Sequence, residues 1–324
     1  MVEPAELTQK IRAALAPCSL GVWPTPLEPA PGLAAALGVS GLAIKREDRS
    51  APRCGGNKVR GLEFLLAGAA PGTVFVTVGG TGSTHCLATA VHAAALGCRA
   101  ALALFPQPDT AASRSVAAGC AARAALVVRA RLRVTLPWAV LLAWRRARAL
   151  GPRRWIPGGG AHPRAVVGHL LAGLELGGQL AEPPQAIVVP LGTGGTAAGL
   201  GLAVAALEWP TRVVAVRVAP ALVANRWRTA ALACGAGRLL ARHGIALPAA
   251  AAPVIADGLG RGYGWPTAAG ERARRQAVTQ GLVLDPTYGA KALAVVPGLA
   301  AHGFHRVVFW HTFGVPVPNP EAAR

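Results

Sequence analysis

The sequence predicts an α/β fold built from two domains, each with a parallel sheet. The first observation is that strand-like runs alternate with helical patterns along the chain, which is typical of βαβ units. The second is that two such runs, at residues 74–78 and 186–190, each lead into a glycine-rich segment that opens a helix. The third is that 324 residues, 52% of them hydrophobic, are enough to bury a large core.

The individual elements follow from local patterns. Strands are indicated by short apolar runs rich in β-branched residues, and helices by apolar side chains that recur every three or four positions. Pro17 ends the first helix, and Asn57 is expected to cap a helix that begins at Lys58. Strands are predicted at residues 41–48, 74–78, 99–105, 125–128, 186–190, 213–218 and 307–311. Helices are predicted at residues 7–15, 87–96, 110–119, 139–150, 166–176 and 197–207.

The order of these elements indicates a large and a small domain. We expect residues 1–58 and 164–324 to form the large domain, and residues 59–163 to form a small α/β domain inserted into it. Ligands of open α/β sheets bind at the carboxyl ends of the strands. A binding site is therefore expected in the cleft between the domains.

The chain is strongly basic, with a formal net charge of +19. Only four of its 33 basic residues are lysines, a bias that the coding composition of the source genome would explain. Nucleic-acid binding is the alternative explanation. The arginines are spread along the chain, however, and aromatic residues make up only 5%, with no stacking platform or finger spacing. We therefore expect no specific nucleic-acid partner.

The cysteines and the N-terminal residues favour a cytoplasmic protein. None of the six cysteines forms a C-x-x-C pair, and residues 1–8 include acids and lack the apolar core of a signal peptide. Residues 186–207 are uncharged and long enough to raise the question of a membrane helix. Because Gly192, Gly194 and Gly195 divide this run into a strand, a loop and a helix, we expect no membrane association.

The segment 53–66 contains the lysine on which the expected site depends. Gly55 and Gly56 let the backbone pass close to a bound group. Lys58 falls in a first helical turn, where a cation is unfavourable because the helix N-terminus is partly positive. Such a lysine is either an exposed surface residue or one whose neutral amine forms an imine with an aldehyde. The segment alone leaves both alternatives open.

A glycine-rich loop follows the strand at 186–190 and is a candidate phosphate site. Its glycines let backbone amides converge at a helix N-terminus, and its threonines offer hydroxyl groups. The loop lacks the Gly-Lys-Ser/Thr of a nucleotide P-loop, and a tight strand–helix turn without a ligand is the alternative. The candidate ligands are Gly192, Thr193, Gly194, Gly195 and Thr196.

A second helix start, at Ser83, Thr84 and His85, follows the strand at 74–78. Its amides and hydroxyls suit a small anion such as a substrate carboxylate. An ordinary helix cap, which Ser83 alone would provide, is the alternative. No H-E-x-x-H, Ser-His-Asp order or metal-ligand spacing is present, so no metal site is expected.

These segments resemble a known enzyme family. The run G-G-N-K-V-R-G-L-E-F-L at residues 55–65 is similar to the lysine motif of the pyridoxal-phosphate enzymes that include 1-aminocyclopropane-1-carboxylate (ACC) deaminases and D-cysteine desulfhydrases. Four further segments match in the same order between Pro24 and His311. The resemblance implies fold type II, as in the tryptophan synthase β-subunit, with pyridoxal 5'-phosphate as cofactor. It also implies a small amino acid as substrate and a homodimer.

The resemblance assigns roles to several of these residues. It implies that Lys58 binds the cofactor aldehyde, that residues 192–196 bind its phosphate, and that Asn57 and Thr84 contact the cofactor. Ser83 is placed among the catalytic residues and, with Thr84 and His85, at the substrate carboxylate.

The two tyrosines of the chain, Tyr263 and Tyr288, fall in segments similar to the family motifs G-Y-G-x-P and D-P-x-Y-x-G-K. In the family these tyrosines face the substrate and assist proton transfer or release of the leaving group. A phenol can do this when its proton affinity is lowered, for example by a nearby cation. Core packing is the alternative for any aromatic residue.

The chain departs from the family pattern at three positions. Thr84 stands where the family has asparagine, and Gly289 replaces the glutamate of ACC deaminases or the threonine of desulfhydrases beside the pyridine nitrogen. Phe313 stands where glycine is usual, next to the cofactor face. Thr312 is then the candidate hydrogen-bond partner of the nitrogen.

We expect a pyridoxal-phosphate-dependent lyase or deaminase. Because Gly289 removes the ACC-type glutamate, desulfhydrase-like β-elimination is favoured over ACC ring opening. That reaction gives a 2-oxo acid and ammonia, with sulfide from D-cysteine. The alternatives are a non-catalytic cofactor-binding protein on the same scaffold and a basic nucleic-acid-binding protein.

Overall fold

The computed structural model describes residues 3–314. The strands are β1 Leu27–Pro29, β2 Gly41–Arg46, β3 Val74–Gly80, β4 Arg99–Phe105, β5 Leu126–Arg129, β6 Arg153–Trp155, β7 Ala186–Leu191, β8 Arg212–Arg217, β9 Val254–Asp257 and β10 Arg306–His311. The helices are α1 Pro4–Leu15, α2 Pro31–Leu37, α3 Lys58–Leu65, α4 Thr84–Ala95, α5 Ala111–Arg123, α6 Leu136–Ala147, α7 Pro163–Gly177, α8 Gly195–Ala206, α9 Arg226–Ala241, α10 Ala268–Val278, α11 Gly289–Leu293 and α12 Val296–Ala300. Short 3₁₀ turns lie at Glu47–Arg49, Arg133–Thr135 and Gly158–Gly160.

The described chain divides into two compact units. The first contains the residues up to 68 together with 159–313, and the second contains residues 69–158. The sequence placed the domain boundaries at 58/59 and 163/164, which would put α3 in the small domain. In the structure, α3 belongs to the first unit. The physical reason is close packing of α3 on α7: a Cβ atom added at Gly61 would lie 2.9 Å from Ala165 Cβ, and one added at Gly168 only 2.0 Å from the Arg60 carbonyl oxygen.

The first unit is built on a six-stranded sheet with the order β1-β2-β10-β7-β8-β9. Only β1 pairs antiparallel; the other neighbours are parallel. The last strand, β10, inserts between β2 and β7, and its register places His311 opposite Arg46. Because β2, β7, β9 and β10 run in the same direction, the segments that follow them emerge at one edge of this sheet.

The second unit contains a four-stranded parallel sheet with the order β5-β4-β3-β6. Strand β3 is nearly all buried and leads directly to the Ser83 helix start. Helix α6 packs its Ala139, Ala143 and Ala147 into the core, one residue per turn.

The uncharged run at 186–207 is the strand β7, a glycine loop and the helix α8, as its glycines predict. Among residues 3–314, no helix has both the length and the apolar character needed to cross a membrane.

Candidate active site

Lys58 is the first residue of α3 and is half-buried. Its Nζ atom donates a hydrogen bond to the carbonyl oxygen of Gly159 over 3.2 Å. Burial lowers the pKa of the Lys58 amine from 10.5 to about 8, because the charged form loses hydration. Part of the Lys58 amine is therefore neutral near pH 7. This favours a lysine whose neutral amine forms an imine over an exposed surface lysine.

Asn57 precedes this helix, and here the expected cap is wrong. The residue has helical φ and ψ of −56° and −20°, and its side chain caps no amide of α3. Instead, Asn57 Nδ2 donates to Thr196 Oγ1 over 2.8 Å, and the Asn57 amide donates to the Thr312 carbonyl over 2.8 Å. Asn57 therefore connects the lysine helix to the first turn of α8 and to the end of β10.

Gly159 brings the lysine next to the glycine loop. Its φ of +68° is left-handed, and a Cβ atom at this position would lie 2.6 Å from Thr193 Oγ1. Only glycine fits this close approach. The same residue supplies the carbonyl that accepts from Lys58. Thr193 and the Lys58 amine therefore both lie next to Gly159.

The glycine loop joins β7 to α8. Gly194 occupies the helix N-cap with φ of +94°, and a Cβ atom there would lie 3.0 Å from Thr229 Oγ1. The amides of a first helical turn have no intrahelical acceptor, and the helix end carries partial positive charge. The first turn of α8 contains no acidic residue that would compete for this charge. The loop can therefore hold a phosphate dianion through backbone amides and the hydroxyls of Thr193 and Thr196.

Tyr263 and Tyr288 form a directly hydrogen-bonded pair. Their hydroxyl oxygens are 2.5 Å apart, and the rings meet edge to face with centroids 6.0 Å apart. A Cβ atom at Gly192 would lie 3.8 Å from Tyr288 Cε1, so this ring is adjacent to the start of the glycine loop. Two phenols in one hydrogen bond can hold and exchange a proton.

The carboxylate of Asp285 fixes the backbone around Tyr288. It accepts hydrogen bonds from the amides of Thr287, Tyr288 and Gly289, at 3.0, 2.7 and 2.9 Å. Burial raises the pKa of Asp285 although these amides favour its ionised form. A Cβ atom at Gly289 would lie 3.2 Å from Asp285 Oδ2, a tight contact, so the glycine leaves room for this arrangement.

The residues after β10 pack against the lysine segment. Thr312 and Phe313 are buried, and Gly56 has φ of +140°. A Cβ atom at Gly56 would lie 3.1 Å from Phe313 Cδ2. Phe313 therefore supports the loop that precedes Lys58, a contact that the sequence did not predict.

Ser83, Thr84 and His85 lie in the second unit, at the start of α4. Ser83 Oγ accepts from the Cys86 amide over 3.3 Å, so Ser83 is a helix cap. The buried His85 ring contacts Thr77 Oγ1 over 2.9 Å. Thr84 is half-buried. The start of α4 can therefore bind an anion through its backbone amides, the Thr84 hydroxyl and the partial positive charge of the helix N-terminus.

His169 on α7 was missed by the sequence analysis. Its side chain is 4% exposed, and its Nδ1 has no hydrogen-bond partner within residues 3–314. Its pKa lies well below 6.5, first because of burial and then because of the nearby positive charges of Lys58 and Arg60. It is therefore a neutral imidazole behind the lysine. A lone histidine in an apolar helix gives no sequence signal for such a position.

The site is backed by a buried ionic cluster that the sequence also did not reveal. Arg60 pairs with Glu47 and Glu175, each at 2.8 Å, and Lys45 also pairs with Glu175. The Arg60 guanidinium lies 3.5 Å from the centroid of the Trp23 ring. The cluster fixes α3, and with it Lys58, to β2 and α7.

The first unit thus brings together most of the predicted residues: Lys58, Asn57, the loop at 192–196, Tyr263, Tyr288 and Thr312. An amine held partly neutral and a glycine loop that opens a helix suit the aldehyde and the phosphate of pyridoxal 5'-phosphate. The residues present fit this group.

Comparison with known proteins agrees with this geometry. Residues 18–312 match the family model described as pyridoxal-phosphate dependent enzyme. The chain is 35% identical to the nocardicin C-9' epimerase of Nocardia uniformis subsp. tsuyamanensis, over 89% of this chain and 90% of that protein. It is 33% identical to the D-cysteine desulfhydrase of Salmonella choleraesuis (strain SC-B67), over 90% of this chain and 92% of that protein. A crystal structure of an ACC deaminase homologue superposes with a TM-score of 0.82 at 28% identity, over 94% of this chain and 95% of that chain.

The neutral-amine lysine and the glycine loop fit one cofactor, and the matches extend over nearly the whole chain. The fold is therefore type II of the pyridoxal-phosphate enzymes, the cofactor is pyridoxal 5'-phosphate, and the chain belongs to the family that contains the ACC deaminases and D-cysteine desulfhydrases.

Proposed function

We propose that this protein catalyses β-elimination on a small amino acid, with D-cysteine as the first candidate substrate. The observation that carries the proposal is the phenol pair: Tyr263 and Tyr288 share a hydrogen bond of 2.5 Å, and Tyr288 lies against the glycine loop. Such a pair can give a proton to a departing thiolate. The similarity to a D-cysteine desulfhydrase supports the same reaction.

Their positions and the family resemblance support the following roles for the other residues. The bound cofactor supplies an electron sink for the α-carbon of the substrate. Lys58 would hold the cofactor, and its amine would be the base that takes the α-proton of the substrate. The loop at 192–196 binds the phosphate, Asn57 orients the lysine helix, and Thr312 is the candidate partner of the ring nitrogen.

The substrate carboxylate is assigned to the start of α4, where Ser83, Thr84 and His85 present backbone amides and the Thr84 hydroxyl. The overall change consumes D-cysteine and water and releases pyruvate, ammonia and hydrogen sulfide. ACC-type ring opening is disfavoured because Gly289 provides no carboxylate at the position that is glutamate in ACC deaminases. We also propose a homodimer, which light scattering of the purified protein tests.

Epimerisation of an amino acid is the second candidate. It needs the same removal of the α-proton by Lys58, followed by return of a proton from a second group, which the phenol pair can provide. The similarity to nocardicin C-9' epimerase favours it. After the α-proton is removed, a leaving group departs from the β-carbon in elimination, whereas a proton returns to the α-carbon in epimerisation.

The deciding experiment incubates the protein with a panel of small D- and L-amino acids in deuterium oxide. Release of 2-oxo acid and ammonia from D-cysteine supports elimination. Deuterium at the α-carbon with inverted configuration and no 2-oxo acid supports epimerisation. A stable visible cofactor band, lost in K58A, with neither product across the panel would leave the non-catalytic cofactor-binding protein.

A further inference from the structure

Lys291 is a buried lysine that the proposed function does not use. Its side chain is only 1% exposed, and it lies on α11, three residues after Tyr288. Its Nζ atom donates hydrogen bonds to the carbonyl oxygens of Leu259 and Gly262, at 2.9 and 3.3 Å. Burial removes the hydration of an amine, which is costly unless hydrogen bonds replace it. The two loop carbonyls provide such hydrogen bonds to Lys291.

The two carbonyls belong to the segment 258–264, which we call the tyrosine loop because it contains Tyr263. Three of its glycines have positive φ: +59° at Gly260, +142° at Gly262 and +86° at Gly264. Glycine backbones lose more conformational freedom on ordering than any others. This loop therefore needs tethers to keep one conformation, and Lys291 bonds to it on the N-terminal side of Tyr263.

Tyr288 is fixed from the other side. It occupies the N-cap of α11, and Asp285 accepts a hydrogen bond from its amide over 2.7 Å. The start of α11 is thus held independently of the tyrosine loop. Lys291 connects the two, because its backbone belongs to the element that carries Tyr288 and its ammonium binds the loop that carries Tyr263.

We propose that Lys291 is a positioning residue that holds the tyrosine loop against α11 and so couples the phenols of Tyr263 and Tyr288 into one proton-transfer pair. The proposal rests on the proposed function for the use of the pair, but not for its existence. Lys291 adds two hydrogen bonds to the glycine-rich loop that positions the Tyr263 hydroxyl.

Two acidic groups face the Lys291 amine, Asp285 and Asp257. Burial lowers the pKa of Lys291 from 10.5 to about 8, and the two carboxylates oppose this change. A lysine amine keeps N–H donors whether charged or neutral. The tether is therefore expected to persist on both sides of pH 8.

The chain offers a direct test because it contains only two tyrosines, both in this pair. The absorbance of tyrosinate near 295 nm is followed against pH for the cofactor-loaded protein, and the spectrum of a Y263F/Y288F double variant is subtracted to remove the tryptophan and cofactor contributions. Two phenols in one hydrogen bond stabilise the singly ionised pair, so we expect two steps separated by about one pH unit or more.

In K291M the two steps are expected to converge, because the loop is released and the phenols titrate independently. The matched control is K10M, since Lys10 is exposed and pairs with Glu6 within α1. K10M should keep both steps. Two well-separated steps in folded K291M would overturn the proposal, as would a single step in the unmodified protein.

Should K291M fail to fold, the titration of the unmodified protein still decides whether the pair is coupled. Hydrogen exchange at the tyrosine loop then decides whether Lys291 is the tether. Exchange should remain slow in K291R, which keeps donors and charge, and should become faster in K291Q. Exchange that is as slow in K291Q as in the unmodified protein would overturn the proposal. None of these measurements needs a substrate. A coupled pair in a protein without lyase activity would refute the proposed function and leave this inference standing.

Discussion

Asn57 and Thr196 are joined by a hydrogen bond of 2.8 Å from Nδ2 to Oγ1. The bond connects the residue before Lys58 with the first turn of α8, the helix whose start is the proposed phosphate site. The amide of Asn57 also donates to the Thr312 carbonyl. One side chain and one amide therefore set the position of Lys58 relative to both the glycine loop and the end of β10.

The first prediction concerns this bond. N57A should weaken cofactor binding by roughly fivefold, because a buried hydrogen bond contributes about 1 kcal/mol and the Thr196 hydroxyl would lose its partner. The dissociation constant is measured by titrating cofactor-free protein with pyridoxal phosphate and following the visible band. T196V removes the other partner together with a hydroxyl of the proposed phosphate loop, so the double variant should bind no worse than T196V alone. Unchanged affinity in N57A would show that the bond does not position the lysine.

The second prediction is a pH dependence of cofactor attachment. Only the neutral Lys58 amine attacks the aldehyde, and burial sets its pKa at about 8. The attachment rate should therefore rise about tenfold per pH unit below that value and level off above it. Stopped-flow mixing of cofactor-free protein with pyridoxal phosphate between pH 7 and 10 measures it. A rate that keeps rising to pH 10 would mean that the amine behaves as an ordinary exposed lysine.

The same shift has a consequence for stability without the cofactor. The folded-state pKa of Lys58 is depressed below the unfolded value of 10.5. The unfolded chain therefore binds more protons between about pH 8 and 10.5, and the Lys58 contribution to stability is present above this window and lost as pH falls through it. Urea unfolding of the unmodified protein and of K58M across this window should show a smaller pH dependence for K58M.

The third prediction concerns the ionic cluster behind α3. The Arg60 side chain is 4% exposed, and Glu47 is fully buried. R60M should lower the free energy of unfolding by about 3–5 kcal/mol, because it leaves buried carboxylates without their main partner. The control is R114M, since the Arg114–Asp109 pair is 63% and 74% exposed and should contribute under about 1 kcal/mol. Equal losses of stability in the two variants would contradict the prediction.

The fourth prediction concerns the ring nitrogen of the cofactor. If Thr312 is its hydrogen-bond partner, T312V should lower kcat at least tenfold with little change in KM, because the interaction matters most when the ring accepts electrons. V308T, at a buried position of the preceding strand β10, is the control for a substitution at a buried site near Thr312. Full retention of turnover in T312V would remove Thr312 from the mechanism.

Local pattern was sufficient for most of the fold. The strand at 99–105 has the observed bounds of β4, because its apolar run is bounded by turn residues. The predicted helix starts differ from the observed ones by a few residues. For example, α8 begins at Gly195 and not at residue 197, because glycine is a weak helix former and the sequence therefore gives no helix signal for the first turn. The segment at 219–252, which the sequence indicated only as helical or loop-rich, contains α9, a 16-residue helix whose buried face includes Leu232, Ala236 and Leu240.

The site was predicted unevenly for a similar reason. Lys58, the glycine loop and the two tyrosines stand in motifs whose chemistry can be inferred locally. The role of Asn57 was misassigned, because its sequence position is that of a helix cap while its actual partner, Thr196, is 139 residues away. No sequence pattern indicated the roles of Gly159 and His169, because these roles depend on residues that contact them only in the folded protein.

By itself, the sequence determined the class of fold and the cofactor, and it indicated Lys58 and the glycine loop as candidate site residues, because periodicity and short motifs are properties of neighbouring residues. Only the tertiary structure decided that α3 packs with α7, that Asn57 holds Thr196, and that Lys291 binds the loop of Tyr263. These contacts join residues far apart in the chain, and their free energy comes from burial and hydrogen bonds that exist only once the sheet of the first unit has brought the strand ends together.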